Sequence, residues 1–155
     1  MIKIGRAIVG GVIGTVLLTS MMYFVAPAMT GRRMDIAAML GSMMGGSWAL
    51  GMMAHLAQGI VVFPLIYVLG VYQRLLGPPW LRGMAWGVAL WLLAQAVAMP
   101  VMGNGFFSAG AGGMPSVVSS LLGHLVYGLA LGVVTGVPEK ARLTSDRSAT
   151  TGVHA

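Results

Sequence analysis

Four long apolar runs, at 7–26, 47–69, 83–102 and 117–137, are separated by short segments where glycine, proline and charged residues collect. Each run is close to the roughly 20 residues that a helix needs to cross a hydrocarbon core of about 30 Å. Tyr23, Trp48, Tyr72 and Trp80 mark several of the ends, where amphipathic rings prefer the headgroup layer. The second run is long and carries Pro64, which predicts a kink or a tilt. The pattern predicts an all-α, polytopic membrane protein with four transmembrane helices. Residues 1–137 form the transmembrane domain, and the polar, small, aperiodic stretch 138–155 reads as a disordered cytoplasmic tail.

Composition narrows the chemistry. Hydrophobic residues make up 57% of the chain and charged residues 8%, against about a quarter charged in a soluble domain. The three acidic residues, Asp35, Glu139 and Asp146, all lie outside the apolar runs. Paired-carboxylate catalysis, hard-cation cages and carboxylate proton relays therefore have no reagents, and no enzymatic activity is expected. The nine Lys and Arg give a net charge of +6 but sit at segment ends. No face is dense enough to follow a phosphate backbone, so the partner is the lipid bilayer and not nucleic acid. With no cysteine, disulfides, thiolate metal sites and cysteine nucleophiles are excluded.

The basic residues also orient the chain. Lys3, Arg6, Arg74, Arg82, Lys140, Arg142 and Arg147 fall on one side, and only Arg32 and Arg33 on the other. The positive-inside rule then puts both termini in the cytoplasm. Lys3, Arg6, an apolar run and Ala26-Pro27-Ala28 imitate a cleavable signal peptide. The long apolar run and its counterpart later in the chain favour retention of the first span.

That counterpart belongs to an internal repeat. Arg6 stands five residues before Gly11-Val12 and Arg82 five before Gly87-Val88; Pro27-Ala28-Met29 returns as Pro100-Val101-Met102, and His55-Leu56-x-x-Gly59 as His124-Leu125-x-x-Gly128. Each half is a two-span hairpin, so the expected architecture is two parallel hairpin repeats about an axis along the membrane normal. His55 and His124 become mates at equal depth, about eight residues or 12 Å from the outer ends of their spans. Gly51, His55 and Gly59 step by four, as do His124, Gly128, Gly132 and Gly136, while Gly10 and Gly14 make a similar face on the first span. Small-residue faces let helices approach closely, so these glycines are predicted packing positions and both histidines are predicted to point inward.

Several readings of the polar positions remain open. The histidines can serve as interhelical hydrogen-bonding groups, or as axial ligands of a haem b with Arg32 and Arg33 meeting the propionates, or as ligands of copper. Twelve of the fourteen methionines fall in the outer half or outer loops. Thioether sulfur suits Cu(I), with Met52, Met53, Met99 and Met102 as candidate ligands, and it also serves as flexible packing. A polar pore or substrate cavity is a further use for intramembrane histidine and glutamine.

The four-span plan, the Gly-His-Leu-x-Tyr-Gly run at Gly123–Gly128 and the following Gly132 resemble a family of small bacterial inner-membrane proteins of unknown function. The resemblance reaches to about Gly136 and implies a bacterial inner-membrane location without an assigned activity. The expected function is a non-enzymatic accessory or interaction subunit of a membrane complex, or a homo-oligomer burying its glycine faces. The alternative is a haem b or Cu(I) protein that uses His55 and His124.

Overall fold

The computed structural model describes residues 4–136; the tail 138–155 lies outside them. No strand occurs among the described residues. Four helices are long and apolar enough to cross a membrane: α1 (Ile4–Thr30), α3 (Trp48–Val71), α4 (Pro79–Val101) and α5 (Gly113–Thr135). A short helix, α2 (Ile36–Ser42), folds into the first connection. α4 and α5 start at Pro79 and Gly113, each four residues before the apolar runs at 83 and 117 begin. Proline is tolerated in a first helical turn, where its missing N–H has no intrahelical partner to lose, and Pro78 and Pro79 open α4 in that way.

Helix α5 is the centre of the bundle. α1 and α4 both pack extensively along it, and glycine makes the approach possible. A β-carbon on Gly132 would lie 2.8 Å from the Gly83 Cα, and one on Gly10 would lie 3.1 Å from the Leu131 Cα. One on Gly14 would meet the Tyr127 ring at 2.8 Å. Backbones this close gain dispersion contacts that lipid cannot supply, which is what drives helix association in a membrane. α3 leans on α1 through its middle turns. Around these contacts Ala7, Tyr67, Tyr72, Leu90, Tyr127 and Leu131 form the core. Val9, Val16, Phe24, Met53, Leu69 and Val133 are exposed on the outside of the bundle, as a lipid-facing surface requires.

Three prolines set the shape of the opposite half. Pro27, Pro64 and Pro100 are each preceded, two residues earlier, by the end of a turn with i→i+5 hydrogen bonds: Met21–Val25, Gln58–Val62 and Ala94–Ala98. A proline ring clashes with the carbonyl four residues back and offers no N–H. One extra residue in the preceding turn relieves that clash while keeping most backbone groups paired. In α3 the Phe63 amide donates to the Gln58 carbonyl, and the Gly59 carbonyl accepts the Tyr127 hydroxyl from across the bundle at 2.8 Å. A fourth wide turn, Tyr67–Val71, has no proline behind it, and nothing in the structure explains it.

Candidate functional site

The wide turns leave a cavity of about 340 Å³ between all four long helices and the short α2. Its polar groups are few and convergent. His55 and Gln58 come from α3, Ser120, His124 and Tyr127 from α5, and Thr15 from α1. The remaining wall is apolar, and four thioethers are part of it: Met22, Met34, Met99 and Met102. This is the composition of a small-ligand site, mostly hydrophobic with a handful of placed polar atoms.

Both histidines predicted to face inward line this cavity. They do not bond to one another in the structure. His55 Nε2 sits 2.9 Å from the Thr19 hydroxyl of α1. His124 Nδ1 sits 2.8 Å from the Ser120 carbonyl, one turn back on α5. A carbonyl oxygen only accepts, so Nδ1 of His124 carries the proton and donates. In the neutral ring Nε2 then holds the free lone pair. No described residue bonds to Nε2 of His124 or to Nδ1 of His55.

The four methionines read from sequence as candidate ligands divide. Met99 is buried and Met102 half-buried, and both line the cavity. Met52 and Met53 are outside its lining, and Met53 is 64% exposed. Met53 stands two residues before His55, about 200° around a helix of 3.6 residues per turn, so it faces away. Met22 and Met34 take their places in the wall; Met22 lies in the widened turn Met21–Val25, which a regular 3.6-residue count does not show. Arg32 and Arg33, read as propionate partners for a haem, are not in the cavity wall either.

The predicted packing glycines are in the interior: Gly10, Gly14, Gly51, Gly59, Gly128 and Gly132 are buried, and Gly136 ends α5 with φ +77 beside the Arg6 guanidinium. Their contacts lie within one chain. Gly10 and Gly14 meet α5, Gly128 and Gly132 meet Gly83, and Gly51 meets the backbone of α2. Gln95 is fully buried and accepts the Ser108 hydroxyl at 2.8 Å. Ser108 and Phe107 hold positive φ values of 54 and 50, conformations that non-glycine residues adopt at a cost. The edge contact of Phe107 with Trp91, 5.8 Å between centroids, fixes that loop over the end of α4.

Asp35 organises the roof, a role that the sequence reading left unassigned. Its carboxylate accepts the Ala38 amide at 2.9 Å, which starts α2, the Tyr23 hydroxyl of α1 at 3.0 Å and the Trp48 indole N–H of α3 at 3.1 Å. One charge thus ties three helices, and α2 carries Ile36 and Leu40 into the cavity wall. Partial burial opposes ionisation of Asp35, but the donors from Ala38, Tyr23 and Trp48 outweigh it and hold the carboxyl below its ordinary value.

Residues 1–145 match the Family of unknown function (DUF6789), and the chain belongs to that family. No curated protein and no solved structure matches the chain.

The Asp35 knot predicts a pH dependence. A carboxyl whose folded pKa is depressed adds stability above its unfolded pKa, and that stability is lost as pH falls through the folded value. With an unfolded value of about 3.9, the melting temperature of the detergent-solubilised protein should hold above about pH 5 and decline below about pH 4. Asp35→Asn, which keeps a capping oxygen but removes the charge, should cost about 1 kcal/mol at pH 7 and flatten that decline. An unchanged melting profile would show that the three donors do not stabilise the roof.

Proposed function

We propose that this member of the family is a non-enzymatic, multi-pass protein of the bacterial inner membrane whose outer-half cavity binds a soft metal ion, Cu(I). The observation that carries the reading is that two imidazoles and four thioethers line one small, mostly apolar cavity. Thioether and imidazole are neutral, soft-to-borderline ligands that suit monovalent copper. No carboxylate or thiolate lines the cavity, so an ion there keeps its whole charge, and the desolvation cost rises steeply with charge. A monovalent ion is the least penalised. The Ser120 carbonyl supplies the backbone partner that metal-ligating imidazoles commonly have on their second nitrogen. Asp35, the one carboxylate among the described residues, is committed to the roof, which supports binding over catalysis.

The same reading includes two parallel hairpin repeats with cytoplasmic termini. A register that sets Gly14, and not Gly11, opposite Gly87 gives Gly10, Gly14 and Pro27 on α1 the same spacing as Gly83, Gly87 and Pro100 on α4, and both glycine pairs pack against α5. Arg6 donates to the Val134 carbonyl at 2.7 Å and Arg82 to the Gly77 carbonyl at 2.6 Å at the end assigned to the cytoplasm. A reporter fused after Thr150 that works only on the far side of the membrane overturns that orientation. An accessory subunit or homo-oligomer would have to use the lipid-facing surface, because the glycine faces are occupied within the chain.

Titration of the purified full chain with Cu(I) against a competing chelator should give about one ion per chain. His124→Ala should weaken binding by about 100-fold, the Met99→Leu, Met102→Leu pair by about tenfold, and Met53→Leu not at all. Without metal, the stability losses of His55→Ala and His124→Ala should add within about 0.5 kcal/mol, because the two rings have separate partners; with Cu(I) bound they should not add. A haem absorption spectrum, or copper binding indifferent to His124, would overturn the copper assignment.

A further inference from the structure

A second recess, of about 470 Å³, lies on the outside of the bundle between α1 and α3. Its walls are apolar where Val16 and Phe24 of α1 face Leu56 and Ile60 of α3. Along one edge run four hydroxyl residues, Thr15, Thr19, Ser20 and Tyr23, and at the loop end stands Arg33. Thr15 to Ser20 is five residues of helix, about 7–8 Å of depth. A surface meant only for lipid tails has no use for a cation and an unpaired hydroxyl. Thr15 is buried against Gly59, Thr19 is held by His55 and Tyr23 by Asp35, whereas Ser20 and Arg33 have no hydrogen-bond or ion-pair partner among the described residues. The nearest carboxylate in sequence, Asp35, is taken by Tyr23, Ala38 and Trp48.

From this arrangement we infer that the α1–α3 groove binds one anionic phospholipid, with the phosphate on Arg33, the glycerol region at Ser20 and an acyl chain along Val16, Leu56 and Ile60. Charge complementarity selects the occupant. Guanidinium is the side chain best suited to phosphate, through paired charge-assisted hydrogen bonds. The apolar walls exclude a free water-soluble anion as the main ligand, and the cation disfavours a lipid whose headgroup carries its own ammonium. Arg32 provides an internal contrast. It is exposed, its backbone amide and carbonyl are tied to the Thr30 hydroxyl, and it is not part of the groove wall. A merely electrostatic preference for anionic membranes would use both arginines, whereas a built site uses Arg33.

The test is native mass spectrometry of the full chain in detergent, titrated with phosphatidylglycerol, with phosphatidylcholine of the same chains, and with glycerol 3-phosphate. Phosphatidylglycerol should bind about one per chain and about tenfold more tightly than phosphatidylcholine, and glycerol 3-phosphate should not bind. Arg33→Gln should remove about tenfold of the phosphatidylglycerol affinity, and Arg32→Gln should leave it unchanged. Leu56→Trp, which fills the groove without touching Arg33, should abolish the adduct. Arg33 is exposed, so its substitution keeps the test valid if the tryptophan variant does not fold. Equal binding of the two lipids, equal effects of the two arginine substitutions, or binding of the headgroup alone would overturn the assignment.

Discussion

In hydrocarbon every backbone N–H and C=O must find its partner within the protein, and most of this architecture follows from how three prolines meet that demand. Pro27, Pro64 and Pro100 cannot donate, and each is preceded by a widened turn that keeps the remaining groups paired. Wide turns do not pack as regular helices do. Because all three contribute residues to the same region, the helices that glycine brings together around α5 cannot close there, and the cavity is the space that remains. The Tyr127 hydroxyl on the Gly59 carbonyl spans the boundary between the two regimes.

The cavity's chemistry depends on what closes it. α2 is seven residues long, far too short to be stable alone in water. It is held by the Asp35 cap and by the contact of the Gly41 and Ala37 backbone with Gly51 of α3. A single carboxylate therefore holds the segment that brings Met34, Ile36 and Leu40 into the wall of the cavity that the histidines also line. The imidazoles are in turn oriented by a hydroxyl and a carbonyl, so the free ring nitrogens are left to whatever the cavity holds.

Much of this was legible in the sequence, because span length, aromatic ends and glycine spacing are direct consequences of bilayer physics. His55 and His124 were placed inside by their small-residue faces, and Gly10, Gly14, Gly128 and Gly132 by their four-residue step. The roof was not legible. Ile36–Ser42 is an apolar run too short to register as a span, and the cue that was present, Asp35 three residues before an amide it can cap, is a common pattern in loops. The methionine assignment needed geometry that periodicity lacks: Met53 lies on the far face of its own helix, while Met22 sits in a widened turn that breaks the regular count. The prolines signalled a bend at Pro64, but their common spacing behind i→i+5 turns has no signature beyond the residues themselves.

The central proposal is that imidazole and thioether meet at one metal ion in the cavity between the four long helices and α2. X-ray absorption at the copper edge, on the full chain loaded with one equivalent of Cu(I) and desalted, tests it directly. A mixed shell of imidazole nitrogen and thioether sulfur, losing sulfur in the Met99→Leu, Met102→Leu protein and nitrogen in His124→Ala, is the predicted result. Copper that washes off, or a shell without sulfur, would contradict it.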